Sequence, residues 1–298
     1  MAGRWEFPGG KLHAGESRSA ALARELAEEL GVAVRASRPL IEIHHRYADR
    51  EVVLHVWSVD RWDGAARGLE GQALQWLDIG ELGAADLLEA DRPILATLAL
   101  PDRCLVTGEP ADDPRRFLAQ LTAALDRGIS LVQLRTPRLS SAALTDLALA
   151  VASLCQTRGA RLLVNGDPRV AAPLARRAGA HGIHVPSRYL QWLREDERPR
   201  DLLIGASVHD ASELRAARDG GADFAILGPV HATPSHLDVE PLGWTRFAAL
   251  ARGAGLPIYA IGGVGAEDLP HAWEAGAQGV AGIRAFWGSG SERAQSGA

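Results

Sequence analysis

Residues Gly10 to Val32 read GKLHAGESRSAALARELAEELGV, and this stretch decides the fold of the first hundred residues. It contains a residue type that begins helices, three leucines at helical spacing and a terminal glycine: Ser17; Leu22, Leu26 and Leu30; Gly31. Serine is a preferred N-cap, glycine is a preferred C-terminal stop, and an i, i+4, i+8 stripe of leucines marks a face that packs on a core. The pattern therefore predicts one amphipathic helix.

Three carboxylates of this helix, Glu25, Glu28 and Glu29, stand at i, i+3 and i+4 beside the leucine stripe. Like charges this close repel one another, and a hard cation such as Mg²⁺ among them relieves the repulsion and bridges to substrate phosphates. Arg24 can pair with Glu28 and with Glu16 of the preceding loop. Two glycines before the helix, Gly9 and Gly10, allow backbone groups to approach a metal or a phosphate closely. The pattern indicates a metal site that holds a diphosphate.

An acidic helix facing solvent is the alternative interpretation of a bare Glu-x-x-Glu-Glu. The surrounding positions favour the metal site. Together with the glutamates they resemble the Nudix box of the Nudix hydrolases. In that motif a Gly and a Glu are separated by five residues, and seven further residues lead to Arg-Glu-aliphatic. One residue, Glu-Glu, one residue and Gly-aliphatic complete it.

Segments outside the box resemble the MutT branch of that family, whose members hydrolyse 8-oxo-dGTP to the monophosphate and pyrophosphate. They are Trp5–Lys11 and residues 61–64, 69–72, 76–77 and 89–94. The resemblance implies Mg²⁺, or Mn²⁺ in its place, held by Gly9, Glu25, Glu28 and Glu29. It implies a catalytic set of Glu25, Glu28, Glu29, Glu70 and Arg24, and substrate contacts from Glu6, Phe7, Pro8, Gly9, Lys11 and Asp91. Asp91 stands where the branch carries an Asn, and a carboxylate can donate a hydrogen bond only when protonated.

The box begins unusually early in this chain, because only eight residues precede Gly9. The resemblance implies a strand and basic substrate contacts upstream of it. We therefore expect a Nudix domain that is truncated at its N-terminus, and a lost strand leaves buried backbone groups unsatisfied at about 1–3 kcal/mol each.

Composition places the chain among ordinary globular proteins, with 298 residues, 47% hydrophobic and 23% charged content. The formal net charge of −5 argues against a broad nucleic-acid-binding surface. The two cysteines fit no metal-binding spacing, no apolar run is long enough to span a membrane, and the N-terminus lacks the pattern of a signal peptide. We therefore expect a cytoplasmic protein without membrane or direct nucleic-acid contacts. The oligomeric state stays open.

The rest of the N-terminal part predicts an α+β arrangement. We expect a hairpin from residues 41–45 and 52–59 around a turn at 48–50, a strand at 76–79, and helices at 81–88 and 93–98. The pattern changes near Pro101 without a low-complexity linker. The predicted domains are a Nudix hydrolase domain at 1–100 and a second domain at 101–298.

Short aliphatic segments alternate with helical ones in the second domain, which predicts a parallel (β/α)₈ barrel. The predicted strands are 104–106, 130–135, 161–164, 182–185, 202–207, 224–228, 257–261 and 279–283. Functional residues of such barrels lie at the C-terminal strand ends, and glycines late in the barrel commonly bind phosphate. This rule selects Gln133, Arg135, Asn165, His184, Ser207, His209, Gly262, Gly263 and Gly282. A packed histidine and a simple tight turn are the alternatives for His184 and for the glycine pair.

Five segments of this domain together resemble the thiamine-phosphate synthase/TenI family: LVQLR at 131–135, GIH at 182–184, GASVH at 205–209, GPVHATP at 228–234 and AIGGV at 260–264. The family couples a thiazole phosphate to a pyrimidine diphosphate or, in its TenI branch, shifts a thiazole tautomer. The chain departs from the synthase pattern at Pro137, Gly166, 185–187 and 235–236, where carboxylates and lysines for Mg²⁺ and diphosphate are expected. Ser207-Val208-His209 resembles the TenI version, in which a histidine acts as acid and base.

Three functions follow from these observations. The leading interpretation is a nucleotide-pool enzyme acting on 8-oxo-dGTP. The second is an enzyme of thiamine metabolism: a synthase, a thiazole tautomerase binding a phosphorylated thiazole, or a hydrolase of thiamine-precursor diphosphates. The third is a barrel that senses a phosphorylated ligand without catalysis, attached to a disabled Nudix remnant.

Overall fold

The computed structural model describes residues 4–46, 51–81, 86–88, 91–108, 113–194, 198–233 and 240–287. The chain divides into two compact units, Met1–Leu100 and Pro101–Ala298. The predicted turn at 48–50 and the departure at 235–236 lie outside the described residues.

The first unit contains the elements α1 (Arg18–Leu30), β1 (Ala33–Arg46), β2 (Glu51–Asp63) and α2 (Arg92–Ala99). The predicted caps of α1 are confirmed, since the Ser17 side chain accepts the Ala20 N–H and Gly31 ends the helix at φ 69°. The predicted helix at 93–98 is confirmed as α2.

The hairpin is confirmed and is longer than predicted, because β1 and β2 pair antiparallel from Ala33↔Asp63 to Arg46↔Glu51. One of three irregularities in the register falls between Pro39 and Ile41. Proline has no N–H for the ladder, so a bulge tolerates it. The face that carries Leu40 and Ile43 packs on Ile94 of α2.

One sequence prediction for this unit is wrong, and a second differs from the structure in its described part. Residues 76–79 form no strand: Trp76 is 74% exposed and stacks on Trp62 of β2, with ring centroids 5.8 Å apart. Its apolar pattern reflects this ring contact and not a ladder. Of the predicted helix at 81–88, residues 82–85 lie outside the described residues, and residues 86–88 are not helical, because Leu87 forms a parallel bridge with Trp5. A bridge partner 82 positions away overrides local helical preference.

The second unit is a closed barrel of eight parallel strands, in the order β10-β3-β4-β5-β6-β7-β8-β9. The strands are β3 (Arg103–Val106), β4 (Leu131–Leu134), β5 (Arg161–Asn165), β6 (Gly182–Val185), β7 (Leu203–Val208), β8 (Phe224–Leu227), β9 (Ile258–Ile261) and β10 (Gly279–Gly282). The predicted barrel is confirmed, with every strand boundary within one residue of its predicted position.

Helices follow the strands around the barrel. They are α3 (Pro114–Asp126), α4 (Ser141–Gln156), α5 (Pro168–Ala178), α6 (Ala211–Asp219), α7 (Gly243–Ala251), α8 (Leu269–Glu274) and α9 (Arg284–Trp287), with 3₁₀ helices at Ser187–Arg194 and Ala266–Asp268. Side chains alternate along each strand, so residues such as Ile183 join the core under the helices while His184 faces the barrel interior. All strands are parallel, so their C-terminal ends meet at one mouth of the barrel.

Candidate functional site

Arg24 organises the candidate site of the first unit. Its Nε and Nη2 donate to the two carboxylate oxygens of Glu16, each at 3.0 Å, and Nη1 donates to Glu25 Oε1 at 2.9 Å and to Glu28 Oε2 at 3.2 Å. Nη2 also donates to the carbonyl oxygen of Lys11 at 3.1 Å. The bidentate contact holds the pKa of Glu16 at about 2. One guanidinium thereby ties the glycine-containing loop to the helix.

Glu29 contacts the loop that precedes the helix, because the Gly9 N–H donates to its carboxylate at 3.2 Å. Burial raises the pKa of the Glu29 carboxyl, and the negative charges of Glu70, Glu25 and Glu6 raise it further. Glu29, Glu70, Glu25 and Glu6 therefore share one electrostatic neighbourhood. It includes two of the three carboxylates of the predicted cluster, whereas the third, Glu28, pairs with Arg24.

The loop that carries Glu70 is docked on the end of α1. The Leu69 N–H donates to the Glu29 carbonyl at 2.9 Å, and Gln72 Nε2 donates to the same oxygen at 3.1 Å. Gln72 Oε1 accepts the Glu70 N–H at 2.9 Å. Sequence reasoning assigned Gln72 no role as a brace, although the residue stands in the segment 69–72 that resembles the MutT branch.

The carboxylates of this site are held by Arg24 and by the Gly9 N–H. Within the described ranges, no three His, Cys, Asp or Glu side chains lie close enough together to hold a metal ion as they stand. Glu25 and Glu28 are paired with Arg24, and Glu28 is 58% exposed. The donor set nevertheless fits Mg²⁺, because all its members are hard oxygen ligands crowded by like charge. A Cβ built on Gly10 falls 2.2 Å from the Glu25 carboxyl atoms, so the glycine leaves room for that carboxylate.

The residues implied as substrate contacts form a second group. The Phe7 N–H donates to the carboxylate of Asp91, whose pKa is raised by burial. Asp91 is 7% exposed, whereas Glu6, Pro8 and Lys11 are exposed. The structure brings Phe7 and Asp91 together because the Trp5 backbone pairs with residues 86–88. This pairing was not predicted from the sequence.

In the second unit, the predicted residues line the C-terminal mouth of the barrel. Gln133 and His184 are buried, Asn165 and Ser207 lie at strand ends, and Arg135 is exposed. His184 Nε2 and Ser207 Oγ are 2.8 Å apart. Burial lowers the pKa of His184 to about 3, so the imidazole is neutral. Gln133 Oε1 and His184 Nδ1 are buried without a hydrogen-bond partner in the described part of the chain.

His209 follows β7 directly and forms a close pair with Glu213 of α6, with His209 Nδ1 and Glu213 Oε2 2.8 Å apart. The sequence predicted His209 but missed Glu213. The signal was available, because Asp210 is a helix N-cap type and Glu213 stands four residues after His209.

The glycines near the mouth have steric reasons of their own. Gly262 has φ 102°, and a Cβ built there falls 2.6 Å from Pro229 Cβ. Gly263 has φ 69°, with a built Cβ 2.9 Å from His231 Cβ. On Gly282, a built Cβ would lie 3.2 Å from Phe286. Close packing of two loops thus explains the first two glycines without a ligand, and their role in phosphate binding stays a prediction.

No helix among the described residues is both long and apolar enough to cross a membrane. The two cysteines, Cys104 and Cys155, are buried and free.

Comparisons with known families divide the chain in the same place as its fold. Residues 1–97 match the model of the NUDIX domain, and residues 103–286 match the model described as thiamine monophosphate synthase.

Characterised relatives repeat this division. The thiamine-phosphate synthase of Synechococcus sp. is 36% identical over 189 residues, which cover 62% of this chain and 52% of that protein. The chain thus spans about half the length of that relative. The 8-oxo-dGTP diphosphatase of Escherichia coli is 38% identical over 98 residues, which cover 33% of this chain and 76% of that protein.

Among solved structures, the thiamine phosphate pyrophosphorylase from Pyrococcus furiosus matches with a TM-score of 0.51 and 21% identity. The match covers 63% of this chain and 88% of that chain. At this identity it supports the fold of the barrel.

Proposed function

Because the chain belongs to the thiamine monophosphate synthase family and carries a NUDIX domain at residues 1–97, we propose separate functions for the two units. The first unit is proposed to be a Mg²⁺-dependent hydrolase of nucleoside triphosphates that converts 8-oxo-dGTP to 8-oxo-dGMP and pyrophosphate. It would remove the oxidised nucleotide from the pool in the cytoplasm.

The observation that carries this proposal is the contact set of Arg24. One guanidinium reaches Glu16, Glu25, Glu28 and the Lys11 carbonyl, so it ties the loop to the carboxylate helix. An acidic helix that only faces solvent does not need an arginine that joins its carboxylates to the preceding loop. The 38% identity to the E. coli 8-oxo-dGTP diphosphatase supports the choice of substrate.

Glu25, Glu28, Glu29 and the Gly9 carbonyl would hold the Mg²⁺, or Mn²⁺ in its place. When bound, the ion would neutralise charge that develops on the phosphate oxygens. Glu25 and Glu28 must turn from Arg24 towards the ion, while the bidentate contact between Arg24 and Glu16 keeps the loop in position.

The chain's own groups then supply the proton transfer. A carboxylate of Glu25, Glu28, Glu29 or Glu70 would accept the proton of a water as its oxygen bonds to phosphorus, and the bond to the pyrophosphate oxygen breaks. Phe7 and Asp91, which already touch through a hydrogen bond, would bind the base, with Glu6, Pro8 and Lys11 on the exposed side.

The test is hydrolysis by the full chain of 8-oxo-dGTP, dGTP and thiamine-precursor diphosphates. We expect 8-oxo-dGTP to be preferred, and Glu28→Gln to lower its turnover by at least about a hundredfold while the fold survives. Glu274→Gln, a matched change of an exposed glutamate on the barrel, should leave turnover unchanged. Near-normal turnover of Glu28→Gln at saturating Mg²⁺ would remove the metal-site interpretation. A preference for a thiamine-precursor diphosphate would transfer the hydrolase to thiamine metabolism.

For the barrel we propose isomerisation of a phosphorylated thiazole, and the contact between His209 and Glu213 favours it over synthesis. A histidine paired with a carboxylate can carry a proton between two substrate atoms without a metal. Pro137 and Gly166 provide no charge where a synthase is expected to hold Mg²⁺ and diphosphate. The glycines Gly262, Gly263 and Gly282, with Gln133, Arg135, Asn165 and Ser207, would form the ligand site.

The barrel is tested in the full chain by assaying thiamine-phosphate synthesis, thiazole tautomer conversion and binding of the phosphorylated thiazole. We expect conversion and binding without synthesis. Robust synthesis would show that the changes at Pro137 and Gly166 do not remove that activity. Binding without any turnover would instead support the sensing function.

A further inference from the structure

His209 and Glu213 make two contacts through a single carboxylate oxygen. Glu213 Oε2 lies 2.8 Å from His209 Nδ1, and it also accepts the main-chain N–H of His209 at 2.8 Å. The histidine side chain is 41% exposed and the glutamate side chain is 31% exposed. The pair is therefore open to solvent on one side and fixed to the backbone on the other.

The glutamate is itself held by the start of α6. Asp210 caps this helix, and its Oδ1 accepts the N–H groups of Ser212 at 2.7 Å and Glu213 at 2.9 Å. Glu213 is anchored through its backbone to Asp210 and through its side chain to His209. Few rotamers are compatible with both contacts, so the carboxylate oxygen stays beside Nδ1.

An ionised carboxylate has only acceptor sites, so a neutral imidazole facing it must carry its proton on the facing nitrogen. Nδ1 of His209 is that nitrogen, and the lone pair is left on Nε2. Ser207 stands two positions earlier on the same face of the strand end, in contact with the buried His184. Nε2 is thus the basic atom of the ring, and His209 stands directly after β7, at the mouth of the barrel.

We propose that Glu213 is a positioning residue, which fixes His209 in the Nδ1–H tautomer and leaves Nε2 as the atom that exchanges a proton with the substrate. This inference rests on the isomerase function proposed for the barrel. In that reaction Nε2 takes a proton from one substrate atom and returns one to another. One bond to hydrogen breaks for each that forms, and no oxidant or second substrate is needed.

The tautomer is read directly by NMR of the full chain labelled with ¹⁵N-histidine, at a pH where the imidazoles are neutral. His209→Gln identifies the resonances of His209 by their loss. We expect the unmodified chain to show Nδ1–H for His209, and Glu213→Ala to move most of the population to Nε2–H. Glu274→Gln is the control, because it changes a distant exposed glutamate and should leave the His209 signals in place.

Glu213→Gln guards against a folding defect in the alanine variant, since it keeps the size of the side chain. Its amide can donate or accept, so the preference for Nδ1–H should weaken. An Nε2–H tautomer in the unmodified chain, or an Nδ1–H tautomer that persists in both Glu213 variants, would overturn the inference.

Measuring the turnover of the thiazole tautomer distinguishes a failure of this inference from a failure of the isomerase function proposed for the barrel. If the unmodified chain converts the thiazole tautomer, Glu213→Ala should lower kcat by about 10- to 100-fold with little change in KM. A change in KM alone, with kcat unchanged, would contradict a positioning role. Absence of turnover in the unmodified chain would refute only the isomerase function, because the tautomer ratio is measured without substrate.

Discussion

Replacing His184 with glutamine should remove a defined part of the acid sensitivity of the barrel. His184 is 1% exposed inside the barrel, and burial lowers its pKa from 6.5 to about 3. In the unfolded chain the same imidazole titrates near 6.5. Between pH 6.5 and about pH 3, His184 is therefore protonated in the unfolded chain and neutral in the folded barrel.

The sign and size of the effect follow from that difference. The stability that the neutral His184 contributes is fully present above pH 6.5, and it is lost as the pH falls towards about 3. Each pH unit in this window costs about 1.4 kcal/mol. Acidification from pH 6.5 to pH 5 should therefore destabilise the unmodified barrel by about 2 kcal/mol more than the His184→Gln variant.

The cysteines offer an assay specific to this unit. The two cysteines of the chain, Cys104 and Cys155, are both buried in the barrel. A short pulse of 4,4′-dithiodipyridine, which reacts with thiols in acid, labels them only in unfolded barrels at each urea concentration. The free energy of unfolding is then extracted at pH 6.5, 6 and 5 for the unmodified chain, for His184→Gln, and for His271→Gln as an exposed-histidine control.

Parallel pH dependences for the unmodified chain and His184→Gln would refute this reasoning. The absolute stability of the variant does not decide the question, because glutamine also alters the contact with Ser207. Only the difference between the two slopes tests whether His184 stays neutral when the barrel is folded. The His271→Gln slope should equal that of the unmodified chain.

Two further substitutions test the glycines. Gly10→Ala adds a methyl group that overlaps the Glu25 carboxyl atoms, so it should displace this proposed metal ligand and lower nucleotide hydrolysis at least about tenfold with little loss of thermal stability. An unchanged kcat/KM would contradict the close approach. Gly262→Ala combines a left-handed φ of 102° with a contact of 2.6 Å to Pro229 Cβ, so the thiol assay should show a loss of about 2–4 kcal/mol. Gly159→Ala also has a positive φ but open space around its Cβ, and should lose only about 1–2 kcal/mol; equal losses would exclude a packing role for Gly262.

The sequence was sufficient to predict structure where local and tertiary preferences agree. In α1, the Ser17 cap, the leucine stripe and Gly31 all indicate the same boundaries, and the structure has them. The barrel strands were predictable because each is a short aliphatic run buried on both faces, such as Leu131–Leu134.

Local pattern was insufficient where the partner lies far along the chain. Trp76 looked like a strand residue, yet its ring contact is with Trp62, and Leu87 pairs with Trp5. Contacts of this kind depend on how loops are folded back, which composition does not encode.

The same division applies to the candidate sites. The charged residues Glu25, Glu28, Arg24 and His209 were recognisable by type and spacing. Their supports were not, because Gln72 and Glu213 act through side-chain contacts that resemble ordinary loop and helix-cap positions in the sequence.

Closure of the barrel between its first and last strands has a consequence for how the polypeptide acquires its structure during synthesis. Leu105 of β3 pairs with Gly282 of β10, so one edge of β3 keeps unpaired backbone groups until β10 has left the ribosome. Contacts this distant in sequence form late and slowly. The nascent barrel therefore exposes this edge until β10 has emerged, and a translational pause placed before β10 would prolong its exposure to chaperones and to other nascent chains.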